Sequence, residues 1–387
     1  MTDRAAATDH DVIVVGAGAM GSATAWRLAL EGASVLALDR WDPPHAHGSS
    51  HGRSRIIREA YYEHPRYVPL VRRAYELWGE VERESGRVLL RRTGGLMVGS
   101  PSGALVRGAR ASADAHALPH ELLGADEIRR RFPGLEPDDD MVGVFEPRAG
   151  ALDPEMCVAT MLDLARRKGA DVRTNERVMH WRAERGSVTV ATDRGHHRAR
   201  SLVLAAGAWL PSLVADLHLP LVVERQLLFW FEPVARDGRY APGAAPVALW
   251  EYAPDRFFYT FPDLGEGVKL GIHHEGEVVD PDAPVDPARP DEVERARALV
   301  RRFLPGAAGR VRHSVACLYT DTPDFHFLID RHPEHEEVIL ASPCSGHGFK
   351  FAPAIGEILA ALALARPARL DLSLFSLSRF SPPTPGP

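Results

Sequence analysis

The sequence predicts an α/β protein with one domain on a mostly parallel sheet and a second domain built on an antiparallel sheet. Three observations predict it. Near the start, the apolar β-formers Val12 to Val15 run into a glycine turn and then a helical pattern, as a buried parallel strand feeding its helix does. A second strand–helix–strand pattern begins near residue 150. Between about 220 and 314 the texture changes to short aromatic strands joined by turns, which read as antiparallel. At 387 residues the chain also exceeds the usual size of one hydrophobic core, so two domains are expected.

The first strand ends in Gly16-Ala-Gly18-Ala-Met-Gly21, and a second strand, Ser34 to Leu38, ends in Asp39-Arg40. Gly16 allows the tight turn, Gly18 lets the backbone approach a pyrophosphate, and Gly21 lets the helix sit close on the strand. The helix start offers free N–H groups and the positive end of its dipole to that diphosphate. Asp39 is the acid expected to hold ribose hydroxyls, and it would repel a 2′-phosphate, which disfavours NADP. The stretch is therefore a Rossmann-type dinucleotide site.

Composition excludes several classes. Hydrophobic content of 45% and charged content of 25% are ordinary for a soluble globule. A net charge of −6 gives no reason to expect nucleic acid or an acidic membrane as partner. The polar start and the absence of a long apolar window predict no membrane span and a cytoplasmic location. Cys157, Cys317 and Cys344 are odd in number and lack metal-type spacing, so neither a disulfide framework nor a metal is expected.

After Asp39 comes a turn-rich polar loop, Asp42 to Gly52, which carries Ser49 and Ser50. Arg55-Ile-Ile-Arg58 follows, and it fits either a solvated edge or cations aimed at a cofactor ring and an anionic substrate. Apolar residues at Val68, Val71, Ala74, Leu77, Trp78 and Val81 predict an amphipathic helix from Tyr67 to Ser85, stopped by Gly86. A polar helix is expected from Glu121 to Arg131, another from Pro154 to Lys168, and a third from Asp291 to Phe303. Cys157 lies on the second of these as a small core residue. Strands are expected at Gly95–Gly99, Asp171–Arg173, Ser201–Gly207, Gln226–Glu232, Val247–Tyr252, Phe257–Phe261 and Val268–His273. On the last, Lys269, Gly271 and His273 share a face. A gap over Gly271 between two cations would admit a flat ring; a solvated sheet face is the alternative. Ser345-Gly346-His347-Gly348 precedes an apolar helix, Phe351 to Ala365, and Lys350 stands where a cation gains nothing from the helix dipole. The tail Ser381–Pro387 is expected to be disordered.

Together these stretches resemble the FAD-dependent amine oxidases of the monomeric sarcosine oxidase and N-methyl-L-tryptophan oxidase family, close also to pipecolate oxidases. The matching pieces are Gly16 to Gly21, Asp42 to His45 with Gly48 to Gly52, Arg55 to Arg58, Val268 to His273, Cys317 to Thr320 with Thr322 to Asp324, and Ser345 to Lys350. The resemblance implies a p-hydroxybenzoate-hydroxylase-like FAD-binding domain and a substrate domain whose sheet roofs the flavin. With the changes of texture it places the FAD domain at 1–86, 150–219 and 315–387, and the substrate domain at 87–149 and 220–314. FAD is the implied cofactor, held by Gly16, Gly18, Gly21, Asp39, Arg40, Ser49, Ser50, Gly346 and Gly348.

The resemblance further implies a thioether from the flavin to Cys317, with Cys344 the alternative; nearby cations such as Arg55 would favour the thiolate. Arg58 and Lys350 resemble the pair that holds the substrate carboxylate. Lys269 matches the lysine that activates O2, where a fixed charge stabilises superoxide. Tyr259 and His273 match residues on the substrate side, and His347 reads as structural. Arg53 stands where the family usually carries Asp, Glu59 where it carries His, and Trp250 falls, by counting back from Tyr259, on a Met position beside the substrate.

The activity implied is oxidation of a secondary α-amino acid, sarcosine or another N-methyl amino acid, by hydride transfer to FAD. Imine hydrolysis and reoxidation by O2 to H2O2 would follow, in a monomer. A cyclic amine such as L-pipecolate, a natural-product amine, or a dehydrogenase with another electron acceptor are the alternatives.

Overall fold

The computed structural model describes residues 9–184, 186–234 and 236–380, so the tail expected to be disordered lies outside the described residues. The first sheet has a parallel centre. His10–Val15 pairs with Val35–Leu38 on one side and His196–Leu204 on the other; Asp171–Arg173 and Val338–Ser342 extend it outward. Strand alternation divides the residues of the first strand between two faces. Val12 and Val14 pack under the helices Ala19–Leu30, Pro154–Arg167 and Ala352–Ala363, while Ile13 and Val15 meet Val188 and Val190 of an antiparallel hairpin on the opposite face. Both faces are covered from Val12 to Val15, which is why the strand is apolar over those four residues.

The second sheet has nine strands. Val222–Phe231, Val268–His273, Arg256–Phe261 and Val247–Ala253 follow one another in antiparallel order, and Gly95–Gly99 lies parallel beside Val247–Ala253. Behind its outer face sits a second core of Trp250, Phe258, Phe229, Phe231 and the helix Pro290–Phe303. The eleven-residue strand Val311–Asp321 pairs along Val222–Phe231. The domain break expected at 314/315 therefore falls inside one strand, and Cys317 is carried by the second sheet, opposite Gln226.

Most local expectations hold. The Tyr67–Ser85 helix is stopped by Gly86 with φ 70°, and Cys157 is fully buried in the first core. The stretch from Glu121 differs: Glu121–Gly124 is a strand on Val142–Glu146, and the helix begins only at Ala125. An open sheet edge takes up those four residues despite their polar, helix-like pattern. Among the described residues, no helix is long and apolar enough to cross a membrane.

Candidate functional site

The glycine turn closes as its motif requires. Gly16 has φ 90°, and a Cβ there would stand 2.5 Å from the Ala205 carbonyl oxygen, so no other residue fits. A Cβ on Gly21 would lie 1.6 Å from the Gly16 carbonyl oxygen, which makes it a packing contact between helix and turn. Asp39 is buried and ties the two strand ends together. Its carboxylate accepts from the Ala17 N–H at 2.7 Å and from the Trp41 N–H at 2.9 Å. The N-cap residue of the helix Ala19–Leu30, Gly18, has no side chain to cap it, and the Ala19 N–H donates to Ser50 Oγ at 3.2 Å. Free N–H groups at a helix start favour an anion.

From this turn one cavity runs into the space between the two sheets. Gly16, Gly18, Asp39, Arg40, Ser49, Ser50, Gly346 and Gly348 line it, as do Arg55, Arg58, Tyr259, His273, Cys317 and Lys350. The structure thus brings nearly every residue expected at the site to the lining of one cavity. Three of them do not line it: Gly21, Lys269 and Trp250.

Lys269 lies one layer behind the wall. Its Nζ donates to the Gly52 carbonyl at 2.7 Å, the Ser54 carbonyl at 2.9 Å and Ser54 Oγ at 3.0 Å, and Ser54 lines the cavity. Burial, then the neighbouring Arg55, lower its pKa well below that of an ordinary lysine, while Cys317 and Glu155 oppose them. The gap over Gly271 is also resolved. Tyr259 pairs with Gly271 across the strands, and a Cβ on Gly271 would lie 2.4 Å from the Tyr259 ring. The flat ring over the glycine is this phenol, held in the cavity wall.

Trp250 is not beside a substrate. It is wholly buried in the second core, stacked on Phe258 with centroids 5.6 Å apart, and its indole N–H donates to Thr260 Oγ1 at 3.3 Å. Leu249 pairs with Tyr259 and lines the cavity; counting back from Tyr259 misses by one, and one residue on a strand reverses the face. Trp250→Ala is expected to cost about 3–5 kcal/mol of stability, read by denaturant unfolding, and to leave substrate preference unchanged. Leu249→Ala is expected to shift preference toward bulkier substrates instead.

Electrostatics single out Cys317 among the cysteines. Burial raises its thiol, but His51, Arg55 and Lys269 together bring it down to about 7. Arg55 donates to Sγ at 3.5 Å, and His51 supplies the largest of the effects that lower the thiol. Burial pushes Cys344 up to about 11, and Cys157 far above its ordinary range.

At the substrate side Arg58 is buried and already paired. Glu63, absent from the expected set, accepts from its guanidinium with both oxygens at 2.7 Å, and the Ala60 carbonyl takes another hydrogen at 2.8 Å. Lys350 is buried with Nζ donating to the His347 carbonyl at 2.6 Å; burial and Arg58 bring its pKa down to about 7, against the pull of Glu63. His273 is kept neutral chiefly by burial and then by His274, and its Nδ1 meets Tyr319 Oη at 3.2 Å. His347, brought down to about 3 mainly by burial, bridges Tyr61 Oη and the Phe325 carbonyl. Glu59 is buried with Arg148 at 3.3 Å, and neither carboxylate oxygen makes a hydrogen bond. Tyr319 was legible as the same-face neighbour of Cys317; Glu63, five residues past Arg58 in a loop, follows no period.

The residues fit FAD: a glycine-started helix with a buried acid beside it faces the same cavity as a low-pKa thiol and a cationic end. Comparison with known proteins points the same way. The family model described as FAD dependent oxidoreductase matches residues 11–362. Monomeric sarcosine oxidase of Streptomyces avermitilis is 42% identical over 376 residues, covering 96% of this chain and 98% of that protein. N-methyl-L-tryptophan oxidase of Yersinia pestis is 36% identical over 96% of this chain and 100% of that one. Among solved structures, NikD, described as an unusual amino acid oxidase essential for nikkomycin biosynthesis, superposes with a TM-score of 0.83 at 27% identity, over 96% of this chain and 98% of that one. L-proline dehydrogenase from P. horikoshii shares the fold at a TM-score of 0.83 and 21% identity, over 96% and 98% of the two chains. The chain belongs to the FAD dependent oxidoreductase family, alongside the monomeric sarcosine oxidases and N-methyl-L-tryptophan oxidases.

Proposed function

We propose that this protein is a flavin oxidase of a secondary α-amino acid, sarcosine or another N-methyl amino acid, working as a monomer with O2 as electron acceptor and releasing H2O2. The observation that carries the reading is the single cavity in which the dinucleotide turn, Cys317, Tyr259 and His273 share a wall with Arg58 and Lys350. FAD, when bound, supplies the hydride acceptor and the route of the electrons to O2.

The protein's own groups do the rest. Arg58 and Lys350 fix the carboxylate, so that the amine and its methyl group have one orientation. His273, kept neutral by burial and with Nδ1 against Tyr319 Oη, brings no negative charge to pair with an ammonium and so favours the neutral amine, the form that can lose hydride. Leu249 and Tyr259 close the apolar side against water. Lys269 places a positive charge behind Ser54, where charge develops during reaction with O2. Cys317, as thiolate, would hold the cofactor covalently, the carbon–sulfur bond replacing a carbon–hydrogen bond of the flavin, with the proton lost to water and the two electrons passed to O2, the oxidant of the proposed reaction.

Anaerobic titration with sarcosine, other N-methyl amino acids, L-pipecolate and L-proline, following flavin absorbance, tests the reading. Bleaching by an N-methyl amino acid, with stoichiometric H2O2 after air is admitted, supports it. Bleaching only by the cyclic amines moves the substrate class, and bleaching without peroxide on air overturns the oxidase.

Attachment carries its own pH dependence. The thiolate forms above about pH 7, so apoprotein given FAD is expected to link it faster as pH rises through about 7. Denatured protein should carry flavin on the Cys317 peptide by mass spectrometry. Arg55→Met removes a charge that favours the thiolate and is expected to move the midpoint to higher pH; flavin on the Cys344 peptide would count against Cys317.

A further inference from the structure

Glu224, His274 and Asp321 come together outside the flavin cavity, each from a different part of the second sheet. Glu224 lies on Val222–Phe231 and Asp321 ends Val311–Asp321; Glu224 stands opposite Tyr319 and Asp321 opposite Val222. They are thus diagonal neighbours on one face of the strand pair. His274 follows directly on the strand Val268–His273. One donor atom from each of the three residues lies within 4.8 Å of the other two.

Asp321 is 4% exposed, and neither of its carboxylate oxygens has a hydrogen-bond partner. The buried Nδ1 of His274 is also without one and faces Asp321 Oδ2 at 3.4 Å. Glu224 is half-buried and accepts from Gln226 Nε2 at 2.9 Å through one oxygen. Among the described residues, no Lys or Arg pairs with either carboxylate within 4.0 Å. Two neighbouring carboxylates without a lysine or arginine, one of them buried, call for a cation.

We propose that Glu224, His274 and Asp321 bind one divalent first-row cation, of the zinc or manganese type. One imidazole nitrogen and two carboxylate oxygens suit these ions better than calcium or magnesium, which prefer oxygen alone. With metal–ligand bonds of about 2.0–2.2 Å, donors within 4.8 Å of one another need only small rotamer shifts to close on one ion. Three protein ligands leave further positions for water, and the half-buried Glu224 gives the ion a way in. The ion would tie together three strands whose other residues, Leu228, His273, Cys317 and Tyr319, line the flavin cavity. His273 and His274 have ring centroids 3.9 Å apart, so the ion would also steady the cavity wall.

The test uses the flavin-loaded protein, stripped by chelator and dialysed. Mn2+ is added and the free-ion signal followed by electron paramagnetic resonance; Zn2+ is counted per chain by mass spectrometry of the elements. The expected result is one ion per chain and a raised Tm with either metal. Asp321→Asn and, separately, His274→Gln are expected to weaken binding at least about 100-fold while keeping the flavin spectrum. His274 is partly exposed, so its variant serves if Asp321→Asn does not fold. No binding by the wild-type protein, or binding undiminished in His274→Gln, overturns the proposal.

Discussion

Lys269→Met is expected to slow the reaction of the reduced enzyme with O2 by about 100- to 1000-fold, the usual cost of removing one preorganised charge from a site of charge development. Reduction by substrate under anaerobic stopped flow should change by less than about tenfold, since Nζ lies behind Ser54 and does not line the cavity. Three oxygens converge on Nζ, and an ammonium has three hydrogens to give them. Burial and Arg55 lower its pKa, so the proton is lost at lower pH than from a surface lysine. The O2 step should therefore weaken on the alkaline side in the wild type. Lys269→Arg keeps the charge and should recover part of the rate. Equal losses in both half-reactions would make Lys269 a packing residue and nothing more.

The second large effect concerns the anion site. Lys350→Met is expected to raise KM for the amino acid by about 10- to 100-fold, the worth of one buried charge-assisted hydrogen bond, with a smaller change in kcat. The Lys350 pKa of about 7 sets the sign of the pH dependence. Below it the cation is present and holds the carboxylate; above it the charge is lost and KM rises, unless the bound carboxylate itself keeps the proton in place. Arg58 is different because Glu63 already accepts with both oxygens from one guanidinium nitrogen, Nη2, while Nη1 donates to the Ala60 carbonyl. An arriving carboxylate must compete with these partners for the guanidinium, so Glu63→Gln is expected to lower KM. A rise in KM would instead show that Glu63 positions Arg58. Arg58→Met leaves the partly buried Glu63 unpaired, a defect of up to about 3–5 kcal/mol, so its kinetics need to be read beside an unfolding curve.

Much of this was legible in the order of residues. The strand–glycine–helix unit with Asp39 depends on contacts close in sequence and on glycines no other residue can replace. The Tyr67–Ser85 helix follows from its own 3.6-residue period and the glycine that ends it. Strand alternation put Lys269, Gly271 and His273 on one face without any tertiary information.

What the tertiary structure alone decided is what each face meets. Tyr259 fills the space over Gly271, because strand register, which no local pattern fixes, sets them opposite each other. Register also sends Trp250 into the second core and Leu249 into the cavity, and gives Cys317 to the second sheet across an expected boundary. Glu63 against Arg58, and Glu224, His274 and Asp321 against one another, join residues whose spacing carries no period. The sequence by itself determined the elements and the cofactor turn, since those rest on backbone conformation and short-range periodicity. Pairings between distant side chains rest on how the two sheets pack, and only the folded chain sets that.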